Sequence, residues 1–284
     1  MILQAAPSLA ENALDGQSLI VQSVAQLTNI PSLEAKLRQT TYWFDQELAG
    51  SGTYFQSQSP RGLLLRLELK LRVGEHQSSL QQVCDGRFLW IRRDLPGGVL
   101  LGRADVERMR EALGRRGSPS WVGAGVHSLA VGGLPQLLAA LAENFQFSAP
   151  QAMRSENAAL WVLVGGWKPD KLAILLPDQK DKILAGRPVD LARLAAQLPT
   201  EIRIILGQSD LLPYRIEYRR ALGDGARSPG DSRGISPMTV LEILEIRQRE
   251  ELDENLFCYQ PGNQEVADYT ERYLQSLISA AADD

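Results

Sequence analysis

Two histidines, two cysteines and a scatter of adjacent carboxylates are the residues of this chain whose types suit acid–base, nucleophilic or metal chemistry. Their spacing does not gather them. His76 sits in VGEHQSS beside an expected turn, and His127 sits in the glycine-rich GAGVHSL. Neither has a second histidine at HxH, HxxxH or HExxH spacing, so both read as solvated loop residues rather than as a general base or a zinc ligand. Cys84 and Cys258 are too few for a disulfide scaffold or a thiolate metal site. They read as reduced, buried thiols, with one long-range disulfide as the alternative. GxSxG and GxxxxGK[ST] do not occur, and VGAGVHSLAVGG (122–133) lacks both GxGxxG spacing and a preceding strand, so no phosphate cradle is expected. Glu250-Glu251 and Asp253-Glu254 read as a hydrophilic turn, whereas glycoside hydrolysis needs two separated acids facing one cleft. The expectation is a protein with no catalytic residue, no cofactor and no metal, and so not an enzyme.

The elements that would hold a site are easier to read. The chain has 284 residues, 44% of them hydrophobic, which suffices for a large core. Thirty basic residues against 34 acids give a net charge of −4, with no basic footprint for nucleic acid. No run approaches the roughly 20 apolar residues of a transmembrane helix. The opening MILQAAPSLAENAL has neither the basic segment nor the long apolar run of a signal peptide. Either the protein is cytosolic or its leader is absent from this sequence.

RGLLLRLELKLRVG (61–74) alternates with period two: Leu63, Leu65, Leu67, Leu69, Leu71 and Val73 share one face, and Arg66, Glu68, Lys70 and Arg72 the other. A long strand with one wet face belongs to an antiparallel sheet. LEAKLRQTTYWFDQELAGSGTYFQSQ (33–58) reads as two strands broken at residues 50–52, and SSLQQVCDGRFLWIRR (78–93) as a hairpin turning on Asp85-Gly86. Leu19, Ile20, Val24 and Leu27 mark an N-terminal helix over 10–28. Stripes at Val106, Met109 and Leu113, and at Leu134, Leu137, Leu138, Leu141 and Phe145, mark helices over 103–117 and 132–147, the second with Pro135 in its first turn. Strands return at 158–167, 201–208 and 212–220, and a Gly/Pro/Ser loop follows at 223–237. Residues 238–252 suit helix or strand by pattern alone, and the strand-rich context favours strand. Residues 256–259 read as a final strand stopped by Pro261.

This order of elements, with LAGSGTYFQ, LLLRLEL, SLQQVCDGRFLWIRR, LLPYRIEY and the closing LDENLFCYQPG, resembles the LolA/LolB-like family of bacterial envelope lipoprotein carriers, in particular its longer relatives of planctomycete type. The resemblance covers most of residues 18–275. It implies an α+β fold: a curved antiparallel sheet, an open half-barrel, with helices covering its concave face. It implies a single domain over 1–284, with an N-terminal helix (10–28), sheet (33–93), helical inserts (103–147), sheet (150–261) and a C-terminal tail (262–284). It implies non-catalytic binding of a lipid or a lipoprotein acyl chain in the periplasm. The alternative is an envelope protein-interaction or stress-sensor module of the same fold that transports nothing. The residues expected to line the cavity are Trp43, Leu67, Leu69, Trp90, Trp161, Leu163 and Tyr218, or their immediate strand neighbours, because a one-residue slip of register exchanges the two faces. The chain is longer than a minimal carrier, with the excess around residues 94–130 and 168–199.

Overall fold

The computed structural model describes residues 15–43, 46–73, 76–114, 126–155, 158–221 and 234–279. The side chains of Trp43, His76, Leu113 and His127, and most of the 223–237 loop, lie outside the described residues.

Period-two sequence becomes strand wherever it was read. β1 (Ser32–Trp43), β2 (Gln46–Ser59), β3 (Gly62–Val73), β4 (His76–Cys84), β5 (Phe88–Leu95) and β6 (Gly98–Asp105) form a continuous antiparallel meander. The second half adds β7 (Phe145–Phe147), β8 (Gln151–Ser155), β9 (Ala158–Trp167), β10 (Glu201–Gly207), β11 (Pro213–Ala221) and β12 (Ile235–Arg249). β12 pairs with β1 and joins the halves into one open sheet of 13 strands, in the order β13-β6-β5-β4-β3-β2-β1-β12-β11-β10-β9-β7, with β8 also on β9. The only parallel pairing in that order is the two-residue β13 (Ala267–Asp268) on β6. The architecture is the open antiparallel sheet with helices on one face that the family resemblance implied.

Residues 50–52 do not break a strand. They lie inside β2, which pairs in register with β1 and β3 throughout. Gly52 is there because β3 passes so close that a Cβ would run into the Glu68 carbonyl. Residues 145–147, expected at the end of a helix, form β7 instead; β6, whose first five residues were assigned to no element, takes up residues 103–105 from the start of the expected 103–117 helix.

α1 (Gly16–Asn29) starts at Asp15, whose carboxylate accepts from the Gln17 and Ser18 amides at 3.3 and 3.1 Å. It buries Leu19, Ile20, Ser23 and Leu27. α2 (Val106–Gly114) buries Val106 and Met109. α3 (Val126–Asn144) packs against α1 and across β3 and β4. Gln17 ties α1 to its far end, donating to the Ala142 carbonyl at 2.8 Å and accepting from the Phe147 amide at 3.2 Å. Residues 168–199 fold as α4 (Pro169–Leu175), α5 (Lys180–Leu184) and short 3-10 turns. The Arg220 guanidinium clamps this insertion, donating to the carbonyls of Ala192, Leu194, Ala195 and Leu198 at 2.7–3.2 Å.

The closing stretch is a strap, not a last strand. Glu254–Phe257 form a 3-10 turn capped by Asp253. Phe257 is buried against the sheet, and Arg66 donates to the Leu256 carbonyl at 2.9 Å. The same guanidinium binds Glu68 at 2.8 and 2.5 Å. An aperiodic LDENLF stapled to an arginine has no ladder to join, so the 3-10 turn wins. α6 (Thr270–Ser279) then returns Tyr269, Tyr273 and Leu274 to the core.

Candidate functional site: the helix-covered inner face

The register assigns the two faces of the sheet. Ala35, Tyr54, Leu67, Gln82 and Ile91 are successive partners across β1–β5, and all five are buried on the side covered by α1 and α3. In the other half, Leu163, Ile204, Ile216 and Leu241 continue the same core. Each such aliphatic is worth about 1.5–3 kcal/mol when withdrawn from water.

The sequence-read residues fall on these faces as follows. Leu67 and Leu69 of β3, Trp161 and Leu163 of β9 and Tyr218 of β11 all belong to the inner core. Trp90 does not. It pairs with Val83, which pairs with Arg66, and so stands on the outer face, where its ring stacks on Tyr259 of the strap at 5.4 Å. Its neighbours Leu89 and Ile91 are the inner residues of β5. DGRFLW repeats no polar–apolar alternation by which to choose the face, and the strap residue that covers Trp90, Tyr259, arrives 169 residues later in the chain.

Burial grades along the face. Leu33, Leu65, Cys84 and Leu89, at one end of the strands, are sealed. Gln39, Leu71, Leu80 and Arg93, at the other end, are half-buried. The open end is bordered by hairpin tips bearing Tyr42, Leu95, Val99 and Leu100, which are 43–48% exposed. This end of the sheet is rimmed by exposed apolar side chains, Leu95 and Leu100 at inner-face register and Tyr42 and Val99 at outer-face register.

Beneath α3 lies one polar construction that the sequence reading missed. Gly133, at φ 67°, breaks the helix. Directly under the break, the Tyr54 hydroxyl accepts from the Leu134 backbone N–H at 3.1 Å and donates to Gln56 Oε1 at 2.7 Å. A Cβ on Gly133 would stand 2.7 Å from both oxygens. Tyr54 and Gln56 are each 0% exposed. Burial pushes the Tyr54 phenol upward, against the smaller opposing effect of the Leu134 amide. Gln56 Nε2 is buried and has no hydrogen-bond partner among the described residues. The available signal was Tyr54 and Gln56 at inner-face parity in GTYFQ, together with Gly-Gly two residues before Pro135. The Tyr218 hydroxyl is likewise buried without a partner among the described residues, and burial raises its phenol too.

Among the described residues no three His, Cys, Asp or Glu side chains converge in a way that could hold a metal ion. Cys84 and Cys258 are both free thiols, Cys84 buried and Cys258 exposed. No helix among the described residues is long and apolar enough to cross a membrane.

Solved structures with similar folds were found. Lipoprotein LppX of Mycobacterium tuberculosis is 14% identical, with a TM-score of 0.41, over 84% of this chain and 98% of that one. A DUF1329 family protein from Desulfovibrio piger is 10% identical, with a TM-score of 0.36, over 86% and 96%. A LolA superfamily protein from Nitrosomonas europaea is 12% identical, with a TM-score of 0.31, over 87% and 99%. No protein-family model matches the chain, and no curated protein does.

Proposed function

We propose that this protein binds an acyl chain, of a lipid or a lipoprotein, without catalysis, between the inner face of its sheet and the α1–α3 pair. The observation that carries the reading is the cover itself. A largely apolar face, with Tyr54, Gln56 and Gln82 set into it, lies under a helix that is broken at Gly133 and pinned at the break by a tyrosine hydroxyl. Apolar faces are ordinarily sealed by unbroken amphipathic helices. A break over Tyr54 and Gln56, toward the sealed end of the face, divides the cover into two pieces that can separate. Leu67, Leu69, Trp161, Leu163 and Tyr218 would contact the chain, with Leu89 and Ile91 in the place first given to Trp90. The place of action we propose is the bacterial cell envelope.

Native mass spectrometry of protein purified without detergent, followed by titration with a fluorescent acyl probe, tests this. Retained lipid or saturable uptake is expected. A folded protein that carries no lipid and takes up no probe refutes it.

The exposed rim favours a second reading, an interaction module that meets an envelope protein through Tyr42, Leu95, Val99 and Leu100. A ligand-free protein that binds such a partner, and loses it on Leu95→Ser with Leu100→Ser, would establish that reading instead.

A further inference from the structure

Gln56 sits at the bottom of the covered face with half of its amide in use. Its Oε1 accepts from Tyr54 at 2.7 Å, while its Nε2 has no partner among the described residues. A buried donor left without an acceptor is uncommon, because it gives up its hydration for nothing. Its surroundings are the aliphatic side chains of Leu33 and Leu65, its register partners on either side, and the broken turn of α3 above. The Tyr54 hydroxyl accounts for the oxygen of that amide, and nothing among the described residues accounts for its nitrogen.

We propose that Gln56 is the polar anchor of the ligand site, and that its Nε2 donates to the neutral carbonyl oxygen of an acyl ester or amide once α3 lifts at Gly133. This rests on the acyl-binding reading above and adds the ligand's chemical class. A neutral carbonyl fits better than a carboxylate. Among the described residues the only buried cation, Arg219, is paired with Glu201 at 2.8 Å on the opposite face. A carboxylate moved beside an uncharged amide would leave its own charge buried and unpaired. The ester or amide oxygen needs only what Gln56 offers, one neutral hydrogen bond in an apolar setting.

The test is displacement of a bound fluorescent acyl probe by three ligands of equal chain length, delivered from cyclodextrin: a fatty acid methyl ester, the free acid and the alkane. The wild-type protein should bind the ester about fivefold or more tightly than the alkane, the worth of one buried neutral hydrogen bond. It should also bind the ester more tightly than the free acid at neutral pH. Gln56→Met, which keeps the length without the amide, should bind ester and alkane alike. Infrared spectra of a carbonyl-labelled ester bound to the wild-type protein give a readout that needs no variant, with the carbonyl stretch shifted to its hydrogen-bonded position. Equal wild-type affinity for ester and alkane, a preference for the free acid, or an unshifted carbonyl each overturns the assignment while leaving acyl binding intact. Binding of none of the three overturns both.

Discussion

Tyr54→Phe removes one oxygen atom and should both destabilise the protein and open it. In the folded chain that oxygen accepts from Leu134 and donates to Gln56, and all three residues are fully buried. Each of the two groups left without its partner costs about 1–3 kcal/mol, so the closed form should lose about 2–6 kcal/mol. At about 2–4 °C per kcal/mol for a domain of this size, the melting temperature should fall by about 4–24 °C. Part of that loss disappears when α3 lifts, because the Leu134 amide then reaches water. If about half is recovered, the open form gains about 1–3 kcal/mol, or about five- to 150-fold in population. Stopped-flow uptake of the acyl probe should accelerate by the same factor, and the Leu134 amide should exchange faster. Tyr218→Phe is the control. It removes an equally buried hydroxyl that has no partner among the described residues, and should leave stability unchanged or slightly raised. If Tyr54→Phe melts with the wild type, the latch carries no energy. If it melts lower but takes up probe at the wild-type rate, Tyr54 stabilises the core and gates nothing.

Gly133→Ala should destabilise by more than the about 1–3 kcal/mol of strained backbone alone, since at φ 67° and ψ −167° the residue sits where essentially only glycine goes and its Cβ also presses on two oxygens at 2.7 Å; thermal melting reads this. A thiol reagent should modify Cys258 in the native protein and Cys84 only on unfolding, because Cys84 is enclosed and burial pushes its thiol up; one reactive thiol before denaturation and two after is the expected count. Burial raises the Glu68 carboxyl, but hydrogen bonds from Arg66 and Gln81 and the Arg66 charge outweigh it, leaving the group below its ordinary 4.5. A depressed carboxylate stabilises above its unfolded value, and that contribution goes as pH falls through the folded one. A fluorophore on Cys258 should therefore report loosening of the strap below pH 4.5, and Glu68→Gln should abolish that transition.

The strands were legible because their information is local. Leu65 through Val73 alternate without exception, and Asp85-Gly86 turns the chain where it should. What escaped depends on partners remote in sequence. Nothing near Gly52 announces that the Glu68 carbonyl will pass against it. The strap at residues 254–259 has the composition of a strand, but Arg66 holds it as a 3-10 turn. Trp90 has strand periodicity on both sides, and only the arrival of Tyr259 decides its face. The latch was hidden for a related reason. Tyr54 and Gln56 alternate correctly for the inner face, so their polarity looks like an exception until Gly133 is seen above them.

The two borders of the sheet bear on how the protein behaves in a crowded compartment. On one side, β13 lies along β6 for two residues, the Tyr269 amide donates to the Arg103 carbonyl at 2.7 Å, and the Thr270 hydroxyl accepts from the Asp105 amide at 3.0 Å. On the other, β9 is bordered by three-residue β7 and five-residue β8, with Pro150 between them. A sheet this wide that does not close into a barrel would otherwise offer long rows of free amides and carbonyls to any extended chain nearby. Fragments of two, three and five residues are too short to template a neighbouring strand. Self-association by edge pairing is blunted at both borders, and the sheet keeps its opening without becoming the start of a fibre.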